Sequence, residues 1–188
     1  MSENRRQLTR DISVFALLIA IGAVGRWIQP QWCFTPTAAV AVFAGFYFAQ
    51  WRIAALVPLA VLGISDLLLP AYDSIAVMLA TYAVMTAPVW LGRFLAKSPQ
   101  GLDGAGRLAL CGLVPATLFY LVSNFAVWAF QSDYPKTFAG LGQCYLAAIP
   151  FFRWMLAGDV FYLAVLFGCW ALAGMPASAA RQERIQNQ

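Results

Sequence analysis

Residues 12–29 read ISVFALLIAIGAVGRWIQ, an apolar run of nearly membrane-spanning length with an arginine close to its end. The whole chain has a similar character: 62% of the 188 residues are hydrophobic, 11% are charged, and mean hydropathy is +0.70. Soluble domains are only about 45–50% apolar. We therefore predict an all-α integral membrane protein, since each transmembrane helix needs about 20 mostly apolar residues.

Polar and proline-containing turns divide the chain into a predicted six-helix transmembrane bundle that forms a single domain. The apolar stretch 137–173 is too long for one ordinary span, and Pro150 lies inside it. A proline in a helix interior removes a hydrogen bond and kinks or breaks the helix. We therefore predict a short extra helix over 137–149 before the sixth span, with seven membrane segments as the alternative. The predicted spans are residues 12–29, 35–50, 53–69, 74–96, 107–130 and 152–173.

The distribution of Lys and Arg indicates the orientation of the bundle, because cytoplasmic segments of membrane proteins carry an excess of both. With the N-terminus inside, the external loops contain Lys136, and Arg26 lies near the external end of the first span. We therefore predict that both termini are cytoplasmic, whereas seven segments would place the C-terminus outside. The cytoplasmic segments would then contain Arg5, Arg6, Arg10, Arg52, Arg93, Lys97, Arg107, Arg181 and Arg184.

Isolated polar residues interrupt the apolar spans, and the predicted topology places them in the outer half of the bilayer. A helix rises about 1.5 Å per residue, so sequence position gives approximate depth. A charge inside a bilayer is costly and normally faces a bundle interior, a partner or a ligand. We therefore predict a solute cavity in the outer half of the bundle, closed by the loop 134–136. The predicted substrate-binding residues are Arg26, Asp66, Asn124, Tyr134, Lys136, Arg153 and Asp159.

A structural role for the same charges is the main alternative. Asp159 could pair with Arg26, and Asp66 with Arg153, and such buried pairs add little net stability but can fix helix register. The protein would then be a membrane assembly or scaffold protein.

The composition excludes several kinds of chemistry. The sequence has no His, which excludes His-based proton relays, Ser-His triads and His-ligated metals. The cysteines at 33, 111, 144 and 169 form no Cys-x-x-Cys pair, and there is no Walker-type phosphate loop. The basic residues lie in short flanks between apolar runs, which argues against a nucleic-acid partner. We expect no catalysis, cofactor or metal, although an intramembrane enzyme using Asp66 and Asp159 stays a less favoured alternative.

Small residues follow one face of the first span at positions i, i+4 and i+7, namely Ala16, Ala20 and Ala23. Small side chains let helices approach closely within lipid. This face is predicted to contact either a partner subunit or a neighbouring helix of the same bundle.

The chain resembles the substrate-capture (S) components of energy-coupling factor (ECF) vitamin transporters. The resemblance includes the first-span face FALLIAIGA (15–23), the FTPT entry to the second span (34–37), and the six-span layout. The chain is also similar to a related bacterial family of uncharacterised small membrane proteins. That similarity rests on FTP (34–36), SD (65–66), NF (124–125), YPKT (134–137) and AIPFFR (148–153).

These resemblances imply a multi-pass protein of the bacterial inner membrane that binds a vitamin or similar micronutrient for uptake. They imply that the face with Ala16 and Ala20 docks a transmembrane coupling subunit driven by two ATPases, unless the protein acts alone. One branch of S components captures cobalamin, in some members through a Cys ligand to cobalt. This makes cobalamin a candidate ligand, with Cys33 or Cys144 in that role.

Overall fold

A computed structural model describes residues 2–97 and 104–173, and over those residues α-helix is its only regular secondary structure. Its elements are α1 (Ser2–Trp27), α2 (Thr37–Tyr47), α3 (Trp51–Ser65), α4 (Ile75–Thr86), α5 (Pro88–Lys97), α6 (Gly104–Phe130) and α7 (Phe138–Leu172).

Four helical stretches are long and apolar enough to cross a membrane. They are Asn4–Trp27, the combined α4–α5 stretch Ile75–Ala96, Ala109–Phe130 and Phe138–Leu172. Two shorter apolar helices, Thr37–Tyr47 and Trp51–Ser65, lie among them. The predicted all-helical, membrane-type architecture is therefore confirmed.

Helix α7 differs from the prediction, because it runs through Pro150 without interruption over 35 residues. The short helix predicted over 137–149 is therefore wrong as a separate element. Contacts with α6 hold α7 on both sides of the proline. The hydroxyl of Tyr120 donates to the carbonyl of Tyr145 at 2.7 Å, and its ring centroid lies 4.9 Å from that of Phe152. At ~1.5 Å per residue, α7 is about 52 Å long and exceeds the ~30 Å hydrocarbon core.

The predicted fourth span, residues 74–96, consists of two helices that meet at Ala87, immediately before Pro88. Proline is tolerated at the first position of a helix, because an N–H group at that position would have no partner within the helix in any case. The two segments still form one continuous column across the bundle.

Helix α2 is the centre of the bundle, because its residues from Ala38 to Ala44 are almost completely buried. Small residues allow the close approach to α5. A Cβ added at Gly45 would collide with the carbonyl of Val89, and one added at Gly92 with that of Val42. These two glycines therefore set the distance between α2 and α5.

The two ends of the bundle differ in chemistry. At the end that includes the last turn of α2, the rings of Phe43, Phe46, Tyr47, Phe167 and Trp170 pack against one another. The opposite end, called the loop end below, carries the loops 28–36, 66–74 and 131–137. The isolated polar residues of α1, α3 and α6 lie towards this loop end.

The helices reach different heights at the loop end. Leu62, Met85, Ala116 and Met155 pack in one layer. Beyond this layer α3 ends after three more residues, whereas α6 continues for fourteen, or about 21 Å. The α6–α7 hairpin therefore projects past the ends of α1 and α3.

Candidate functional site

Arg26 and Asp66 form an ion pair between the ends of α1 and α3. The guanidinium Nη1 lies 2.8 Å from Asp66 Oδ1 and donates to Ser65 Oγ at 2.5 Å. The second carboxylate oxygen, Oδ2, accepts a hydrogen bond from the hydroxyl of Tyr82 at 2.9 Å. The two charged side chains are 15% and 17% exposed. The sequence suggested two ion pairs, Asp159 with Arg26 and Asp66 with Arg153. The structure instead pairs Arg26 with Asp66.

Ser65 connects this pair to the helix backbones. It is completely buried, and its Oγ donates to the carbonyl of Val61 at 2.6 Å. The indole of Trp27 donates to the carbonyl of Ser65 at 3.0 Å. These contacts hold the C-terminal ends of α1 and α3 together, and the network satisfies its own polar groups.

Tyr72, in the loop after α3, lies close to both charges of the pair. Burial raises the pKa of its phenol, the negative charge of Asp66 raises it further, and Arg26 partly offsets the effect. The phenol therefore stays a neutral hydroxyl at physiological pH.

A separate cavity of about 170 Å³ lies between α6 and α7, next to the loop that joins α1 and α2. Aromatic rings and small side chains form most of its wall, and a few polar atoms interrupt it. Its lining residues are Cys33, Phe119, Tyr120, Ser123, Asn124, Ala148, Phe151, Phe152 and Met155.

The polar groups of the cavity use their donors on nearby backbone carbonyls. Asn124 Nδ2 donates to the carbonyl of Tyr120 at 2.7 Å, and Ser123 Oγ donates to that of Phe119 at 2.6 Å. None of the described residues donates to Asn124 Oδ1. The cavity wall therefore offers acceptor oxygens on Tyr120, Ser123 and Asn124, whereas its remaining donors are the second N–H of Asn124 and the weak S–H of Cys33.

Asp159 lies one helical turn beyond Met155 on α7. It is 3% exposed, and its Oδ2 has no hydrogen-bond partner within residues 2–97 and 104–173. The preceding Gly158 packs against the backbone of Phe34 and Thr35, where an added Cβ would lie 3.2 Å from both. The α1–α2 loop thus packs against α7 directly beside Asp159.

Cys33 lies between the cavity and the charges. Burial raises the pKa of its thiol, Arg26 lowers it, and Asp159 raises it. The thiol also lines the cavity, and the residue has a left-handed backbone with φ 69°. The α1–α2 loop therefore places one side chain in the cavity wall and within electrostatic range of Arg26 and Asp159.

Of the predicted site residues, Asn124 lies in the cavity wall, and Arg26 and Asp66 pair with each other nearby. Asp159 is buried one helical turn beyond the cavity residue Met155. The structure does not bring Arg153 to these groups. The Arg153 side chain is exposed, and its guanidinium lies 5.7 Å from the ring centroid of Trp154. A single site formed by all seven residues is not present.

Tyr134 and Lys136 belong to the α6–α7 hairpin. The ammonium of Lys136 donates to the carbonyls of Trp128 and Gln131, and the indole of Trp128 donates to the carbonyl of Pro135 at 2.9 Å. Tyr134 is half-buried in the same turn. Lys136 therefore closes the turn after α6 and does not reach the cavity.

The predicted alanine face divides into two parts. Ala16 and Ala20 are exposed on the outside of the bundle, beside the exposed Leu17 and Val24. Ala23 is 3% exposed and packs inside the bundle.

Sequence reasoning missed the aromatic lining of the cavity, because aromatic residues are frequent throughout this chain and carry little information singly. Ser65 and Tyr82 were also missed. Ser65 directly precedes a predicted site residue, so a search for neutral hydrogen-bond partners of Asp66 could have found it.

Neither a metal site nor a disulfide is found within the described ranges. No group of three His, Cys, Asp or Glu side chains there could hold a metal ion, and Cys33, Cys111, Cys144 and Cys169 are free thiols. Cys144 is buried, and its thiol donates to the carbonyl of Asn124 at 3.4 Å.

No curated protein and no solved structure matches the chain. One family does, and the match extends over residues 6–182, which is nearly the full length. The chain therefore belongs to the family described as "Family of unknown function (DUF6580)".

Proposed function

We propose that this protein is a substrate-binding membrane protein that takes part in the uptake of a small micronutrient. The single observation that carries the proposal is the α6–α7 cavity, whose largely apolar wall contains the polar side chains of Tyr120, Ser123 and Asn124. Binding sites of small molecules commonly combine an apolar, aromatic lining with a few such polar groups. The resemblance to ECF S components adds the expectation of uptake.

The size of the cavity limits the ligand. Pockets that enclose drug-sized ligands have volumes of about 300–1,000 Å³, whereas this cavity has about 170 Å³. A corrin is far larger than this space, so a solute much smaller than the candidate ligand cobalamin fits the cavity better. Cys33 lines the cavity, but Cys144 is absent from its lining.

We also propose six membrane crossings with both termini in the cytoplasm of a bacterial cell. The helices form six columns, because α4 and α5 continue each other. Asp11 near the start of α1 accepts a hydrogen bond from Tyr47 at 2.9 Å, and Tyr47 packs against Trp170 near the end of α7. The first and last columns thus meet at one end of the bundle, and the Lys/Arg bias favours the cytoplasm for that end.

The exposed face of α1 is the proposed docking surface for a coupling subunit. Ala16 and Ala20 would permit close approach of a partner helix, while Ala23 belongs to the internal packing. Ala20→Trp should then abolish uptake and leave solute binding intact. Ala164→Trp, a matched change at an exposed position of α7, should leave both unchanged. Loss of uptake in both variants, or in neither, would contradict docking on α1.

A scaffold protein with structural ion pairs is the second candidate, and the satisfied Arg26–Asp66 network favours it for those two residues. The alternative of an intramembrane enzyme that uses Asp66 and Asp159 has less support. Asp66 is held by Arg26 and Tyr82, whereas no described group donates to Asp159 Oδ2, and no hydrogen bond joins the two carboxyl groups.

Native mass spectrometry of the protein purified from cells grown in rich medium tests the proposal. We expect a bound small molecule on the wild-type protein. Ala148→Phe, which fills the cavity, should remove it, whereas Ala147→Phe at the adjacent exposed position should retain it. A wild-type protein without any bound mass, or equal occupancy in the two variants, would contradict solute binding in this cavity.

A further inference from the structure

We propose that the cavity selects an uncharged, single-ring solute that donates hydrogen bonds. This inference rests on the proposed function and specifies the chemical class of its substrate. Three independent properties of the cavity support it: the direction of its hydrogen bonds, its size and lining, and the placement of charge around it.

The hydrogen bonds of the wall leave acceptors facing the solute. Tyr120, Ser123 and Asn124 each donate to a backbone carbonyl. Tyr120 Oη and Ser123 Oγ retain lone pairs, and Asn124 Oδ1 receives no hydrogen bond from the described residues. A solute with an N–H or O–H group can satisfy these oxygens. A solute with acceptors alone would leave these three oxygens unused and would find as donors only the second N–H of Asn124 and the weak S–H of Cys33.

The volume corresponds to one six-membered ring. An engineered apolar protein cavity of about 150 Å³ binds benzene, and this cavity has about 170 Å³. Phe119, Phe151 and Phe152 contribute rings to the wall, and aromatic rings favour offset or edge-to-face contact with another ring. A flat ring with one or two small polar substituents therefore fits both the space and the lining.

The charges around the cavity favour a neutral solute. None of the described lining residues is charged. The charge of Arg26 and the carboxyl group of Asp159 both act on Cys33 at one side of the cavity, and they act in opposite directions. A charged solute would lose its hydration without gaining a direct counter-ion, which is strongly unfavourable.

The test uses three fluorinated single-ring probes with the protein in lipid nanodiscs, and the two neutral probes are nearly equal in size. 4-Fluorophenol donates a hydrogen bond, 4-fluorotoluene replaces the hydroxyl by a methyl group, and 4-fluorobenzoate is an anion. Fluorine NMR line broadening, corrected with empty nanodiscs, gives the affinity of each. We expect 4-fluorophenol to bind at least about fivefold more tightly than either of the others, from one net hydrogen bond of about 1 kcal/mol.

Two variants assign the effect to the cavity. Asn124→Leu should reduce the preference for 4-fluorophenol over 4-fluorotoluene to less than about twofold, because it removes the open acceptor. Ala148→Phe should abolish binding of all three probes, and Ala147→Phe should leave it unchanged.

Two kinds of result would overturn this inference. Suppose that 4-fluorotoluene or 4-fluorobenzoate binds as tightly as 4-fluorophenol and that Ala148→Phe abolishes this binding. The proposed preference for a neutral hydrogen-bond donor is then wrong, but the cavity still binds a solute. If no probe binds, the single-ring class is wrong. A solute found by native mass spectrometry would then still support the proposed function, whereas an empty protein would contradict both.

Discussion

Asp66 and Asp159 are both carboxyl groups in apolar helices, but their surroundings differ. Asp66 accepts a hydrogen bond from Tyr82 and pairs with Arg26 at 2.8 Å. Asp159 is more deeply buried and has an oxygen without a partner in the part of the chain that the structure describes. The first residue therefore stabilises the fold, whereas the second retains an unsatisfied polar atom near a cavity.

Removing one member of the Arg26–Asp66 pair should destabilise the protein. Loss of one partner from a buried ion pair costs about 3–5 kcal/mol, because the remaining charge is left uncompensated. Since both side chains keep some contact with solvent, we expect about 3 kcal/mol for Arg26→Gln and for Asp66→Asn. Unfolding in detergent measures the free energy. The double variant should be more stable than either single variant, and additive losses would contradict the pairing.

Asp159→Leu should stabilise the protein by about 1 kcal/mol. An unsatisfied buried polar group costs about 1–3 kcal/mol, and leucine has a similar size without that cost. The same unfolding measurement applies, with Asp66→Leu as a control that should destabilise. A large loss of stability in Asp159→Leu would show that Asp159 has a stabilising partner after all.

At the level of elements, helix packing explains both what the sequence predicted and what it did not. Apolar length and the polar or proline-containing turns predicted the helices, and helical rise placed Arg26 and Asp66 in the same half of the bilayer. Which charges pair depends on how each helix is rotated about its own axis, and the depth of a residue gives no information about that rotation. The continuity of α7 through Pro150 depends on Tyr120 and Phe152, which are long-range contacts. The cavity arises from packing between two helices, and the motifs NF (124–125) and AIPFFR (148–153) supply four of its lining residues without indicating that a cavity forms there.

Gly92→Ala should strongly impair folding, because the added methyl group would collide with the backbone carbonyl of Val42 on the central helix. A backbone atom cannot move aside as a flexible side chain can, so α2 and α5 would separate. Gly168→Ala is the matched control, since an added Cβ there meets nothing within 4 Å. The yield of monodisperse protein and its midpoint of thermal unfolding measure the effect. Equal behaviour of the two variants would contradict the close α2–α5 contact.

The whole molecule is polarised along the bundle axis. One end packs an aromatic cluster around Tyr47 and Trp170. The loop end carries the Arg26–Asp66 network, the cavity and the projecting α6–α7 hairpin. The features of the proposed solute site therefore lie together at the loop end of the bundle.

The proposed orientation predicts that both termini are inaccessible from outside the cell. Cysteines introduced by Ser2→Cys and Gln188→Cys should resist a membrane-impermeant maleimide in intact cells and react after permeabilisation. A cysteine introduced by Ser132→Cys, in the α6–α7 loop, should react in intact cells. Reaction of the C-terminal cysteine with the N-terminal one protected would instead indicate seven segments.

The central claim is that the α6–α7 cavity holds a small solute, and electron density tests it most directly. The measurement is a crystal structure, in a lipid phase, of the protein purified from cells grown in rich medium. We predict density for one ring-sized molecule in the cavity, beside the contacting rings of Tyr120 and Phe152 and within hydrogen-bonding distance of Asn124 Oδ1. A cavity filled by collapsed side chains, or a solute bound at the exposed Arg153 instead, would contradict the account.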